Sequence, residues 1–480
     1  MTTRLRPGLP IFRLPQGASD VLYTPGYLAL VTPGEADEVH SLLVGTGPAS
    51  SPPLGRLAAE LRRYAERAIG TWSRRLEAPF APECLTVYLG NQCSLACPYC
   101  FSSVARQAGA RGGHPVIIEE AMVHSTARLV ARCCAEKMGP FHLVLHGGGE
   151  PTIHWDMVVR IVNATRAIAG EAGVDWFGVI VTNGVVPETA ASWMARHFNL
   201  VELSCDGPPD IQDRQRPLAG GGASSPYIEK TARALLEARG RLTVRTTITP
   251  RTVERQAEIV AYLHETLGAR QMRFEPVYRV RGGQQVVFQP DQAAWFVEHF
   301  LAAQREARAR GCDLSWAGVR LDELHGPYCS VLRDTLHLVP DGAATACFFC
   351  TGGRDSEGTP RPIGRWGSVA GEYVLDVERI GAHRHKAGEV PERCTDCLNV
   401  LHCARECPEV CYAMDAPEAQ GAKSPDNVNR PGFRCLVNRR LAEAWIEEAA
   451  ASGAPAWMCS ATCRRTRTST PSIRPLGPIP

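Results

Sequence analysis

The sequence predicts an α/β protein in which helices surround a parallel sheet, with a small unit before the sheet and a cysteine-rich region after it. Three observations lead to this fold class. The chain has 480 residues, and at about 150 residues per domain it is long enough for roughly three units. Between residues 84 and 310, apolar runs typical of strands alternate with amphipathic runs of helical period. Beyond residue 310, cysteines become the main feature.

Residues 1–83 are predicted to form an appended unit. Short apolar strands, IFRL and VLYTPGYLALVT, precede a helical stretch, RLAAELRRYAERAIGTWSRRL. Such a unit could bind a substrate peptide by strand addition to a sheet edge, or it could cover the domain that follows. We favour the covering role.

Residues 84–310 contain six strand candidates, and helical runs follow them. The strands are LTVYLGN, FHLVLHGG, WFGVIVTNG, LVELSCDG, RLTVRTTITP and QMRFEPVY. Six consecutive βα units in about 220 residues favour a partial (β/α) barrel, although periodicity alone leaves a doubly wound sheet open.

The composition argues against several classes of function. With 52 basic and 50 acidic residues, the chain has no concentrated basic surface of the kind that binds nucleic acid. No apolar run is long enough to span a membrane, and the N-terminus MTTRLRPGLP lacks the apolar region of a secretory signal. We therefore expect a cytoplasmic protein whose 19 cysteines serve metal binding more than disulfides. Four cysteines without partners at ligand spacing are expected to be small buried hydrophobes, namely Cys133, Cys134, Cys205 and Cys312.

The first candidate site is the CxxxCxxC run NQCSLACPYCF, which contains Cys93, Cys97 and Cys100. Iron–sulfur clusters are usually held by four thiolates, so three close cysteines leave one iron of a four-iron cluster for another ligand, such as a cofactor. A zinc knuckle is the alternative, and it would need a fourth ligand at matching spacing. Cys84 is available, but it precedes a strand.

Polar and glycine residues gather at the ends of the next three strands, where barrel active sites are built. The second strand is followed by HGGGEP, the third ends in TNG and the fourth ends in SCDG, before the segment IQDRQRP. The candidate binding residues at these positions are Gly148, Gly149, Glu150, Thr182, Asn183, Ser204, Asp206 and Arg214. For the polar ones, ordinary turn and helix capping is the competing interpretation, and for Asp206 the two are equally weighted.

These motifs together resemble the radical SAM enzymes. The resemblance implies a six-unit partial TIM-like barrel and a [4Fe–4S] cluster whose open iron is chelated by S-adenosyl-L-methionine (SAM). It also implies that one electron cleaves SAM to methionine and a 5′-deoxyadenosyl radical, which takes a hydrogen atom from the substrate. By this resemblance the HGGGEP turn binds the SAM amino group, and the later strand ends contact its ribose and carboxylate. Tyr99 takes the position that lies near the adenine.

A second array of cysteines follows the barrel. Cys329 and Cys347 stand in C-x12-G-x4-C, and C-x2-C-x5-C-x3-C begins at Cys394, with Cys435 beyond it. This spacing resembles the SPASM extension, which binds auxiliary clusters, whereas a pair of zinc ribbons is the alternative. The resemblance implies one cluster at Cys394, Cys397, Cys403 and Cys435, and another at Cys329, Cys347 and Cys407, with Cys350 or Cys411 as an optional further ligand. We expect this domain to cover residues 311–440 and a helix with a disordered tail to cover residues 441–480.

The sequence as a whole predicts a radical SAM maturase that crosslinks or oxidises a ribosomally made peptide or protein. The resemblance also implies a reductant such as a flavodoxin or ferredoxin. Three alternatives stay open: formylglycine formation of the sulfatase-maturing type, radical dehydrogenation of a small molecule, and a noncatalytic electron carrier. The first is disfavoured because Phe348 stands where those relatives have an aspartate base, although another acid such as Glu275 could substitute.

Overall fold

The computed structural model describes residues 2–100, 102, 116–277, 286–324, 326–327, 330–345, 362–367, 371–405 and 432–452. In these residues the strands form two sheets, of four and eleven strands. The larger sheet consists of β5 (Cys84–Val87), β6 (Phe141–Leu145), β7 (Trp176–Thr182), β8 (Leu200–Ser204), β9 (Leu242–Ile248), β10 (Gln271–Pro276), β11 (Asp313–Trp316), β12 (Thr335–Leu338), β13 (Ala343–Thr345), β14 (Pro362–Gly367) and β15 (Glu372–Leu375).

The larger sheet has the order β11-β10-β9-β8-β7-β6-β5-β12-β13-β14-β15. All neighbours from β11 to β12 are parallel, and β12 to β15 are antiparallel. The six predicted strands are β5 to β10, so the predicted α/β class with a parallel sheet is confirmed. Two further parallel strands, β11 and β12, were not predicted. Each has only four residues, and polar residues interrupt its apolar pattern, as the sequences DLSW and TLHL show.

Helices connect the parallel strands and cover one face of the sheet. On this face the strands present residues such as Leu143 and Leu203, and the helix Trp155–Glu171 buries Val158, Ile161 and Val162 against the same core. Side chains at alternate strand positions, such as Val144, point to the opposite, concave face. The helices are α3 (Glu120–Lys137), α4 (Trp155–Glu171), α5 (Glu188–His197), α6 (Pro209–Gln215), α7 (Ser225–Glu237), α8 (Gln256–Glu265) and α9 (Ala293–Ala309).

The two faces of the N-terminal sheet pack into two different hydrophobic cores. On the inner strand Ser19–Thr24, Val21 and Tyr23 join the main core, whereas Leu22 belongs to a separate core beneath the N-terminal helices. The antiparallel order is β1-β2-β3-β4. The elements of this unit are β1 (Thr3–Arg4), β2 (Phe12–Gln16), β3 (Ser19–Thr24), β4 (Tyr27–Val31), α1 (Pro33–Val44) and α2 (Pro52–Glu77).

Helix α1 was not predicted, although the sequence carries its start signal. Thr32 and Glu35 form a capping box, and Pro33 occupies the first helical position.

The C-terminal region adds α10 (Val377–Gly388) and α11 (Phe433–Ser452). Helix α11 begins before residue 440, so the expected boundary there falls inside a helix that also contains Cys435. It packs against β3 and β4 of the N-terminal sheet and against α9. In the same region the Tyr23 hydroxyl lies 2.8 Å from His402 Nε2. Among the described helices, none combines the length and the apolarity needed to cross a bilayer.

Candidate functional site

The predicted binding residues lie at one edge of the larger sheet because the carboxyl ends of parallel strands face the same way. The cysteine triplet follows β5, the glycine-rich turn follows β6, and the next two polar groups end β7 and β8. This edge is therefore a single candidate site made from four consecutive strand ends.

The loop with the three cysteines is tied to the segment that follows α6. Ala96 N donates to Pro217 O over 2.9 Å, and Ala219 N donates to Ser94 O over 2.8 Å. Within the loop, Leu95 N donates to Cys93 Sγ over 3.4 Å. The two backbone bonds therefore hold the cysteine loop against the segment after α6.

The three thiols of this loop are close enough to interact electrostatically. Burial raises the pKa of Cys97 to about 12, and the nearby Arg216 guanidinium opposes that rise. A thiol must lose its proton to bind iron, so Arg216 favours the ligand form of Cys97. In the described part of the chain, no three His, Cys, Asp or Glu side chains are grouped to hold a single metal ion.

The glycines after β6 are required by close contact with the cysteine loop. A Cβ on Gly148, whose φ is +74°, would lie 2.5 Å from Gly90 O, and one on Gly149 would lie 2.0 Å from Gln92 O. Next to them, Glu150 N donates to Gln92 O over 2.7 Å. The turn and the residue before Cys93 are therefore joined through backbone atoms, a contact that only glycine permits.

Glu150 is buried and forms the centre of a hydrogen-bond network. Its Oε1 accepts from the Thr182 hydroxyl over 2.8 Å and from the Thr152 hydroxyl over 2.7 Å, while its Oε2 accepts from Asn183 N over 2.7 Å. Burial raises the pKa of Glu150, and these hydrogen bonds oppose the rise. Because each carboxylate oxygen has two acceptor sites, Oε2 keeps the capacity for one more donor, which fits a ligand amino group.

Asn183 connects the end of β7 to the cysteine loop. Its Nδ2 donates to Ser94 Oγ over 2.9 Å and lies 3.6 Å from Cys93 Sγ, while its Oδ1 accepts from Val185 N over 2.9 Å. The bond to Val185 fixes which end of the amide faces the sulfur. Asn183 thus contacts both the Glu150 network and the first cysteine.

Asp206 is fully buried at the end of β8, and its carboxylate already has several partners. Oδ1 lies 3.0 Å from Arg216 Nε and accepts from Thr247 N over 2.9 Å, while Oδ2 accepts from Gln215 Nε2 over 2.7 Å and from the Tyr99 hydroxyl. The Arg216 guanidinium also lies 5.5 Å from the centre of the Tyr99 ring. Asp206 therefore holds Arg216, Gln215 and Tyr99 in place through its buried carboxylate.

The predicted Arg214 is exposed and does not join this cluster. Arg216, two residues later, is the arginine that pairs with Asp206, and the spacing of the motif IQDRQRP did not distinguish the two. Only Arg216 lies on the side of the segment that faces Asp206. Ser204 ends β8 and is half-buried.

A further charged group lies on the concave face and was not predicted. Glu202 Oε2 lies 3.4 Å from Arg245 Nη1, and Glu202 Oε1 lies 3.6 Å from Arg273 Nη2. Beside them, Glu275 pairs with Arg434 over 3.2 Å. The sequence did carry a signal for this charged group. Glu202, Arg245 and Arg273 each interrupt an apolar strand, at positions that alternate with core residues.

Four of the cysteines in the C-terminal array lie in the described residues. The thiols of Cys394, Cys397 and Cys403 interact electrostatically. Cys435 lies one helical turn before Asn438, whose Nδ2 donates to Cys403 Sγ over 3.1 Å. The structure thus brings the first three cysteines together and directs α11 toward them. The remaining predicted ligands fall outside the described residues, namely Cys329, Cys347, Cys350, Cys407 and Cys411.

Comparisons with known proteins agree with this architecture. The family model of the Radical SAM superfamily matches residues 87–263, which include the cysteine triplet and the four strand ends. The solved structure of native anSMEcpe with bound AdoMet and the Kp18Cys peptide is 17% identical, with a TM-score of 0.56, over 78% of this chain and 97% of that chain. SuiB of Streptococcus suis bound to the precursor peptide SuiA is 13% identical, with a TM-score of 0.50, over 87% of this chain and 98% of that chain. At these identities the likeness shows a common fold. A search of curated proteins found no match.

Proposed function

We propose that this chain, whose residues 87–263 match the family model of the Radical SAM superfamily, is a radical SAM maturase that crosslinks or oxidises a ribosomally made peptide or protein. Enzymes of the superfamily use a [4Fe–4S] cluster and SAM, which together supply a 5′-deoxyadenosyl radical that removes a hydrogen atom from the substrate. In this proposal the cluster is held by Cys93, Cys97 and Cys100.

The observation that supports this proposal most directly is the joining of three motifs by hydrogen bonds. Glu150 N binds the carbonyl of Gln92, next to the first cysteine, and Asn183 contacts both Ser94 and the Glu150 carboxylate. A cluster site and an acceptor for an amino group are thus built as one unit. A simple electron carrier needs no such acceptor beside its cluster.

The residues of the site have distinct proposed roles. Glu150 Oε2 accepts from the amino group of SAM, and its buried position excludes competing water. Ser204, Thr182 and Asn183 contribute to the SAM pocket at the neighbouring strand ends. The Tyr99 hydroxyl donates to the Asp206 carboxylate, and this bond positions the Tyr99 ring. The Asp206 carboxylate is then occupied by donors from the protein, and its proposed role is to position Tyr99.

The proposed substrate is a peptide. The two similar structures described above were solved with bound peptides, and the likeness extends over most of this chain. A crosslink removes two hydrogen atoms from such a substrate, one by abstraction and one as a proton and an electron. We propose that auxiliary clusters in the C-terminal region accept this electron and that a flavodoxin or ferredoxin reduces the first cluster.

Glu275 does not favour the formylglycine alternative. Its carboxylate pairs with Arg434, and both side chains are nearly buried. This arrangement fits a structural bridge between β10 and α11 more than a free base.

Reductive cleavage of SAM is tested under anaerobic conditions. The protein is reconstituted with iron and sulfide, given dithionite and SAM, and 5′-deoxyadenosine is followed by mass spectrometry together with iron per chain. We expect deoxyadenosine and about twelve irons, as three four-iron clusters require. A variant with Cys93, Cys97 and Cys100 all changed to Ala is expected to keep the auxiliary iron and lose deoxyadenosine. Undiminished cleavage in this variant would refute the site, and no cleavage by the fully loaded wild type would favour the electron carrier.

The substrate class is tested with short peptides encoded beside the gene. After incubation with the active enzyme, a crosslinked peptide has lost two hydrogen atoms, and fragmentation locates the new bond. Turnover of a small metabolite with no change in any candidate peptide would favour the dehydrogenase alternative.

A further inference from the structure

The sulfur of Cys403 receives two hydrogen bonds from N–H donors. Asn438 Nδ2 and Arg405 N each lie 3.1 Å from Cys403 Sγ. Burial raises the pKa of Cys403 to about 11, and both donors oppose that rise because they stabilise the thiolate. The immediate surroundings of this sulfur therefore favour negative charge.

The orientation of the Asn438 amide is fixed by its other partner. Trp316 Nε1 donates to Asn438 Oδ1 over 2.8 Å, and an indole N–H can only donate. The amide oxygen must therefore face Trp316, which leaves the amide N–H groups facing Cys403. Gly318 makes room for this contact, since a Cβ there would lie 2.2 Å from Asn438 Oδ1. Asn438 itself is 1% exposed.

A guanidinium group lies beside the same thiols. Arg405 Nη1 donates to Glu389 O, whereas its buried Nε and Nη2 have no hydrogen-bond partner among the described residues. Arg405 also interacts electrostatically with the thiols of Cys394 and Cys403. A buried cation with two unused donors fits an anionic group held between these cysteines, and a four-iron cluster with four thiolate ligands is such a group.

We propose that Asn438 and Arg405 raise the reduction potential of an auxiliary cluster held by Cys394, Cys397, Cys403 and Cys435, so that it accepts an electron readily. This inference rests on the proposed function. Reduction adds negative charge to the cluster, and both N–H···S hydrogen bonds and a nearby cation stabilise the reduced form. The electron comes from the substrate radical, which loses it together with one proton as the crosslink closes. Asn438 and Arg405 are thus positioning residues for electron transfer.

The test measures the midpoint potential of this cluster by anaerobic redox titration with electron paramagnetic resonance. Asn438→Leu preserves the approximate volume and removes the N–H donor. The matched control is Asn399→Leu. The side chain of Asn399 donates to Asn438 O over 2.9 Å, and no bond joins it to Cys403 Sγ in the described structure. We expect a more negative midpoint for Asn438→Leu at unchanged iron content, and a wild-type midpoint for the control.

A second variant addresses the charge separately. Arg405 has φ of +56°, a conformation that Asn tolerates well, so Arg405→Asn removes the cation and keeps the backbone N–H to Cys403. It is also expected to shift the midpoint to more negative values. If Asn438→Leu loses its cluster, Arg405→Asn still tests the proposal. A wild-type midpoint in every variant that keeps its iron would overturn it.

The titration also separates this proposal from the proposed function. The signal is assigned with a variant in which Cys394 and Cys403 are both changed to Ala. Loss of iron and of one signal in this variant supports the auxiliary site. Wild-type iron content would instead mean that no cluster is held there, and the proposal for Asn438 and Arg405 would fail. The proposed function would then still be judged separately, by deoxyadenosine formation that depends on Cys93, Cys97 and Cys100.

Discussion

Replacing Gly149 by Ala should separate the glycine-rich turn from the cysteine loop. The added Cβ would lie 2.0 Å from Gln92 O and 2.8 Å from Gln92 C and N, distances that force movement. The obstacle is backbone, which cannot rotate away as a side chain would. Moving it also strains the 2.7 Å bond from Glu150 N to Gln92 O. Because Gln92 precedes Cys93, the first cysteine should move with it.

The expected cost combines two effects. Overpacking costs about 1–3 kcal/mol, and loss of the backbone hydrogen bond costs about 1 kcal/mol. The sum of about 2–4 kcal/mol corresponds to a fall of roughly 5–15 °C in melting temperature for a domain of this size. We also expect less iron bound at the first cluster site after reconstitution.

The assay is thermal unfolding under anaerobic conditions, with iron per chain measured on the same samples. Gly170→Ala is the matched control. Gly170 lies in α4 and has nothing within 4 Å of an added Cβ, so this variant should keep or slightly raise the melting temperature. If Gly149→Ala melts with the wild type and binds the same iron, the contact between turn and loop is not the reason for glycine here.

Two further predictions concern buried charge. Asp206→Asn leaves the Arg216 guanidinium without its carboxylate and should cost about 3–5 kcal/mol, whereas Tyr99→Phe, which removes one hydrogen bond to the same carboxylate, should cost only about 2 kcal/mol. Equal melting temperatures for the two variants would contradict this. Burial lowers the pKa of His337 from 6.5 to about 3, and it also lowers the pKa of His402. The unfolded chain therefore binds more protons below pH 6.5, so stability present above that pH should be lost as the pH falls; His337 loses it toward pH 3, by at most about 1.4 kcal/mol per pH unit, and His402 acts in the same direction. A melting temperature that does not fall between pH 7 and pH 5 would count against this assignment.

Several parts of the site could be predicted because their signals are contiguous in sequence. The cysteine triplet, the glycine-rich turn and the polar ends of β7 and β8 each lie within a few residues of a recognisable strand. The parallel sheet then brings them to the same edge. The strands β11 and β12, whose short sequences DLSW and TLHL mix polar and apolar residues, gave no usable period, and the sequence alone left both outside the predicted barrel.

Other parts depended on contacts between residues far apart in the chain. Which arginine of the segment IQDRQRP pairs with Asp206 was decided by the side of that segment that faces the carboxylate, and this arginine is Arg216. The requirement for glycine at position 149 follows from the short distance between the turn after β6 and the cysteine loop after β5.

The sequence by itself determined the class of fold and the positions of the cysteine and glycine motifs relative to the strands, because these depend on spacing along the chain. Tertiary structure decided which donors surround each thiol and which charges share the concave face. Asn438 illustrates the difference: it is 35 residues from Cys403 in sequence, yet its amide lies against that sulfur. Hydrogen bonds and buried charges act over a few ångströms in space, and no local pattern records which distant residues come that close.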